Sequence, residues 1–137
     1  MSAPPSAPSS GLVPAQDLFS SASAAVADVV VLSFCAQWCG TCREFRPVLE
    51  AISAANPEIV FGWLDIEDDA EFADEVDVED FPTLAIIRGG VPLYFGATLP
   101  LDGVVRSLLR AAVASTQPQV AAPDGLARLA ARLHPQR

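Results

Sequence analysis

The most regular feature of the chain is a nearly unbroken apolar run, DVVVLSFC (Asp28 to Cys35), rich in β-branched residues. It predicts a central strand covered on both faces. Downstream, Phe45, Val48, Leu49 and Ile52 recur at i, i+3, i+4 and i+7, one apolar stripe on a helix from about Cys39 to Ala55. Pro47 lies inside that helix and is expected to kink it. Asn56-Pro57 breaks the pattern, and IVFGWLDI (Ile59 to Ile66) reads as a second buried strand. A short helix is expected around Ala70 to Glu75. TLAIIR and PLYFGA, separated at Gly89-Gly90, read as a β-hairpin. Leu101 to Ala114 carries another apolar-striped helix, and a short helix near Asp17 to Ala25 precedes the first strand. The first half is thus β-α-β and the second a hairpin followed by a helix, which predicts an α/β fold with a mixed central sheet flanked by helices. No internal repeat is visible.

With 137 residues, 51% of them apolar, the chain can bury one good core but hardly two. The expected layout is a disordered leader over residues 1–11, a domain over 12–115, and a tail over 116–137. The leader, MSAPPSAPSSG, has neither a basic n-region nor an apolar h-region, and no apolar run approaches the length that crosses a bilayer. The tail is a Pro and Gln linker followed by an amphipathic pattern, with Leu126, Leu129 and Leu133 on one side and Arg128 and Arg132 beside them. Docking on the domain, docking on a partner and fraying all stay open for it.

Charge narrows the partners. A formal charge of −9, from 17 acidic and 8 basic residues, leaves no basic face for nucleic acid. Most of the excess lies in DIEDDAEFADEVDVED (Asp65 to Asp80), where more than half the positions are carboxylates and none is basic. Such a run is either a solvated face or an electrostatic filter beside a site.

The candidate chemistry sits in AQWCGTCREF, Ala36 to Phe45, where Cys39 and Cys42 are two residues apart at the end of the first strand and the start of the long helix. Three readings compete: a redox couple, half of a metal site, or two buried thiols. The metal reading lacks a second cysteine pair or a histidine cluster within one chain, the only histidine being His134 in the tail. Three cysteines, an odd number, suit a reducing compartment better than an oxidising one, so the expectation is a soluble cytoplasmic protein, not a membrane one.

FCAQWCGTC, a helix with Pro47 five residues after the second cysteine, and DFPT ahead of a Gly-Gly hairpin together resemble the thioredoxin superfamily over about Leu12 to Ala114. The resemblance implies a thioredoxin-like fold and a protein dithiol–disulfide oxidoreductase with no cofactor and no metal. Its partners would be protein disulfides or dithiols and a reductase, acting on a monomer. It implies that Pro82 is cis and that the backbone of Phe81 is offered to an extended substrate. The alternative, from another class, is a binding or chaperone-like module with little redox turnover. Thiol–disulfide exchange needs an exposed thiolate and a second thiol within reach. At a helix N-terminus the free N–H groups favour charge on Cys39, making it the nucleophile, while Cys42, one turn inward, resolves the mixed disulfide. Gly40 lets a substrate sulfur approach, and Trp38 is a flat shoulder to the site or else a core residue. Thr41 stands where reducing members commonly carry Pro, and its hydroxyl is a potential donor to Cys39. Ser33 and Trp63 occupy the positions where thioredoxins carry a buried Asp and its Lys partner, so both members of that pair are replaced together. Proton removal from Cys42 then falls to water, the Ser33 hydroxyl or another carboxylate. Cys35, four residues before Cys39, reads first as a small buried hydrophobe, with a regulatory third thiol as the sharper alternative.

Overall fold

The computed structural model describes residues 11–20, 28–36, 38–74, 76, 78–115 and 123–133. Five strands, β1 (Leu12–Pro14), β2 (Val29–Cys35), β3 (Val60–Asp65), β4 (Thr83–Arg88) and β5 (Val91–Ala97), form one sheet in the order β1-β3-β2-β4-β5. β1 and β2 run parallel to β3, whereas β4 is antiparallel to both β2 and β5. The helices are α1 (Ala15–Ser20), α2 (Gly40–Ala55), α3 (Ala70–Ala73), α4 (Asp102–Ala114) and α5 (Asp124–Leu133).

The long apolar run is the centre of this sheet. All seven residues of β2 are buried, as a strand with a neighbour on each edge and helices on each face must be. Its side chains alternate: Val30, Leu32 and Phe34 enter one core cluster, and Val29, Val31 and Cys35 the other. The second cluster is completed by α2, through Cys42, Phe45, Leu49 and Ile52, and by α4, through Val105, Leu109 and Ala112. The first is completed by α1, α3 and α5, through Leu18, Phe72 and Leu126, Leu129 and Leu133. Leu126 and Leu129 are fully buried, so the amphipathic end of the tail is seated on the domain. Arg132 lies over the stacked rings of Phe19 and Phe72, 5.2 and 4.9 Å from their centroids.

Two glycine sites shape the sheet. Gly89 and Gly90, with φ of 57° and 85°, close the β4–β5 hairpin in the left-handed region that a two-residue turn of this hand demands. Gly62 faces α1, and a Cβ there would lie 2.5 Å from a Leu18 methyl carbon, so its bare backbone lets the helix settle on β3.

Several expectations shift in detail. β1 was not anticipated: Leu12-Val13-Pro14 pairs with Phe61, Gly62 and Trp63 at the sheet edge, where a Pro costs no ladder bond on its outer side. The first helix begins two residues before the expected Asp17, at Ala15; its expected end at Ala25 falls among residues outside the described set, as do residues 1–10 of the leader, Glu75 and His134. The acidic helix is one turn, Ala70–Ala73. α2 starts at Gly40 with Cys39 as its N-cap residue, and it runs through Pro47 to Ala55.

Candidate active site

The carboxyl end of β2 leads through Ala36 into the start of α2, and this short passage places the cysteines. The Cys39 N–H donates to the Ala36 carbonyl at 3.0 Å, folding the chain into the helix, and the Arg43 N–H closes the first turn on the Cys39 carbonyl at 3.3 Å. Cys39 is therefore at the helix mouth and half-buried, while Cys42, one turn on, points into the core and is 1% exposed. Both are free thiols, as is buried Cys35.

The two environments drive the two thiols apart. Cys39 is held below the ordinary thiol value, first by the backbone N–H of Cys42 and then by that of Thr41, with the Cys42 and Thr41 side chains adding hydrogen bonds. Burial pushes Cys42 up, partly offset by hydrogen bonds from the Cys35 side chain and the Ala36 backbone. Burial pushes Cys35 up further, and its bond to Cys42 adds to that. The Ser33 hydroxyl lies 3.8 Å from Cys35 Sγ.

Around the helix mouth, Trp38 is 60% exposed, which removes the core alternative for that residue. Its ring stands edge-on to Phe81 at 5.8 Å, and its Nε1–H donates to Glu67 Oε2 at 3.3 Å. The Phe81–Pro82 peptide bond is cis. That loop is braced on both sides, by the Thr83 hydroxyl donating to the Asp80 carbonyl at 2.5 Å and the Thr98 N–H donating to the Pro82 carbonyl at 3.0 Å. Gly40 is open toward solvent, the nearest outside atom to a Cβ there being the tip of Arg43 at 3.7 Å.

On the far side of Cys42 lies a cleft of about 770 Å³ that the sequence did not reveal. Cys42, Ala36, Trp63, Arg43 and Arg46 line it together with Asp65, Asp68 and Asp69. Part of the acidic stretch thus borders the cysteines. Asp65 is buried at the end of β3, where its carboxylate accepts the Glu67 and Asp68 N–H groups at 2.8 and 3.0 Å and shapes the turn. Trp63 pairs in register with Ser33, packs against Phe45 and carries the Arg46 guanidinium 4.8 Å above its ring. The two neutral replacements are therefore neighbours on one face, and a flat ring fills the place beside a small hydroxyl.

A five-stranded mixed sheet with a dithiol at the strand-to-helix junction and a cis-proline loop beside it defines a thioredoxin-fold protein. Comparison with known proteins agrees. The profile of the thioredoxin family matches residues 12–102. A protein named "Putative thioredoxin 2" from Streptomyces coelicolor is 40% identical over 67 residues, 49% of this chain and 50% of that one. A thioredoxin H-type from Picea mariana is 33% identical over 95 residues, covering 69% and 76% of the two chains. The solved structure of Fasciola hepatica thioredoxin superposes with a TM-score of 0.63 at 27% identity, over 73% of this chain and 96% of that one. The chain belongs to the thioredoxin family. Its match spans half the length of the Streptomyces relative.

Proposed function

We propose that the protein is a thiol–disulfide oxidoreductase that cycles a Cys39–Cys42 couple on protein substrates. The observation that carries this reading is the opposite placement of two thiols one helical turn apart: Cys39 is half-buried at a helix N-terminus whose N–H groups lower its pKa, while Cys42 is 1% exposed and burial raises its pKa. In the reducing direction the Cys39 thiolate attacks one sulfur of a substrate disulfide; a Cys39–substrate bond forms and the other substrate sulfur leaves as a thiolate. Cys42 then loses its proton and attacks the Cys39 sulfur, so that a Cys39–Cys42 disulfide forms and the second substrate sulfur leaves. Two electrons pass to the substrate, which takes up two protons. An extended peptide would lie along the Phe81-Pro82 loop, with Trp38, Gly40 and Thr41 on its other side. The catalytic unit is the domain of residues 12–115 with α5 seated on it, acting as a monomer in a reducing, cytoplasmic compartment with a reductase to regenerate the dithiol.

Purified protein should accelerate the reduction of insulin by dithiothreitol, and Cys39→Ser should abolish the acceleration. Equal rates for the two proteins would sink the enzyme reading and leave a thioredoxin-fold binding module.

A further inference from the structure

The mechanism above leaves one buried nucleophile unused. Cys35 is the last residue of β2, 1% exposed, on the same sheet face as Ser33 two residues earlier and in the same apolar cluster as Cys42. It is not an isolated small hydrophobe. Its sulfur lies 3.8 Å from the Ser33 hydroxyl, and it shares the buried cluster under α2 with Cys42, the side chain that, after burial, does most to raise its pKa. Ser33, Cys35 and Cys42 thus meet on one side of the sheet, and the Cys42 sulfur must become an anion for the second step.

Making an anion there is costly, since Cys42 is buried and burial opposes its charge. The groups that face it are few. From β2 and the residue after it come Cys35 and the Ala36 N–H, and from the helix N-cap comes Cys39; the cleft it borders is lined also by Arg43 and Arg46 of its own helix and by Asp65, Asp68 and Asp69. The Arg46 guanidinium is engaged by Glu50 and by the Trp63 ring. Neutral donors in direct contact carry the compensation, and Cys35 is the first of them.

We propose that Cys35 is a positioning residue for the resolving step: the Ser33 hydroxyl donates to the Cys35 sulfur, and the Cys35 S–H donates to the Cys42 sulfur as that sulfur takes on negative charge. The inference rests on the Cys39–Cys42 couple proposed above. Cys35 keeps its proton throughout and forms no covalent bond. The proton that Cys42 gives up passes to water in the adjoining cleft, and the electron pair left on Cys42 forms the bond to Cys39 while the substrate sulfur departs with the pair of the broken bond. Burial suits Cys35 to this role, because a thiol that resists ionisation remains a donor wherever Cys42 is ionising.

The full chain is tested with an aromatic disulfide whose leaving thiolate is coloured. The first equivalent of colour reports attack by Cys39, and the second reports resolution by Cys42. Cys35→Ala should leave the first phase in place, move the pH midpoint of the second by about one unit to the alkaline side, and slow it about tenfold at pH 7, the loss of one hydrogen bond to a charged group. Cys35→Ser, which keeps a donor, should restore most of the rate. Ser33→Ala leaves Cys35 in place and should shift the same midpoint in the same direction by a smaller step, about threefold in rate; it carries the test if Cys35→Ala does not fold. A second phase with an unchanged pH profile in Cys35→Ala or Ser33→Ala overturns the proposal. So does a Cys35–Cys42 disulfide in peptide maps of the oxidised protein, which would make Cys35 a nucleophile. Wild-type protein that gives the first phase and no second overturns the couple itself, a different failure that needs no variant to be seen.

Discussion

The two faces of the sheet are built from the same strands and do different work. The face under α2 and α4 holds every described group with redox chemistry: Cys35 and Cys42 lie in its core and Cys39 packs at its rim. It also holds the small polar Ser33 within the sheet. The opposite face, under α1, α3 and α5, has a core built of apolar side chains, with buried Thr83 at its edge. Among the described residues α1 and α3 cover part of it, and the ten-residue α5 brings Leu126, Leu129, Ala130 and Leu133 into the same layer. The tail thus contributes core to this face. Three buried leucines at about 1.5–3 kcal/mol each represent a large share of the roughly 5–15 kcal/mol by which a domain is stable. One face is thus arranged around reactivity and the other around stability, and the division can be tested from either side.

The largest effect should come from the reactive face. Cys42→Ser keeps Cys39 and its helix-end donors but removes resolution, so turnover should vanish while mixed disulfides through Cys39 accumulate in cell extract. Adducts found mainly on Cys35 by non-reducing mass spectrometry would show that the sulfurs have been assigned to the wrong roles. On the stability face, Leu129→Ala should cost about 2–5 kcal/mol in denaturant unfolding, with activity per folded molecule unchanged. A variant of full stability would mean that α5 is a passenger, and one that folds but loses turnover would mean that the faces are coupled.

A smaller effect should appear with pH. Burial raises the folded-state values of Cys35 and Cys42 above those of exposed thiols, so above the ordinary thiol value of 9.0 the unfolded chain ionises while the folded one does not. Their contribution to stability is complete below that pH and is lost as pH rises through the folded values, by about 1.4 kcal/mol per pH unit for each thiol that lags. Cys39, held low, acts in the opposite sense: its contribution is present above its ordinary value and fades as pH falls through the folded one. The reduced protein should therefore lose denaturation midpoint between pH 9 and 11, and Cys35→Ser should lose less. An unchanged midpoint over that range would mean that the reactive face is wetter than its burial implies.

The smallest effect is electrostatic. Glu67 bonds Trp38, and Asp65, Asp68 and Asp69 line the cleft behind Cys42, so basic peptide disulfides should react a few-fold faster than acidic ones at low salt. The difference should shrink near physiological ionic strength, where exposed charges are screened over about 8 Å. Equal rates at low salt would reduce these carboxylates to a solvated surface.

The reactive face was the more legible of the two. The β2 run, the stripe of Phe45, Leu49 and Ile52 and the cysteine spacing each carry a strong local signal, and the resemblance they support pointed to the cis bond at Pro82. What stayed hidden there depends on side chains meeting across elements: the bond from Cys35 to Cys42, and the cleft that joins β3 to α2. Nothing in local sequence distinguishes a hydrogen-bonded buried thiol from an idle one. On the stability face the apolar run that supplies Val30, Leu32 and Phe34 was plain, but the covering layer was not. β1 is three residues ending in Pro, too short for periodicity to register. The amphipathic pattern around Leu129 is strong, yet amphipathicity states only that a helix needs a partner, and the sheet face that supplies it lies many residues away.

The central claim, that Cys39 and Cys42 form one two-electron couple, is tested most directly by equilibrating the full chain in glutathione buffers of graded potential and mapping disulfides after acid quench. The account predicts a single transition with a slope of about 30 mV per tenfold change in the equilibrium ratio, in which a Cys39–Cys42 disulfide forms and Cys35 stays reduced. A chain that remains a trithiol at oxidising potentials, or one whose first disulfide contains Cys35, would contradict it.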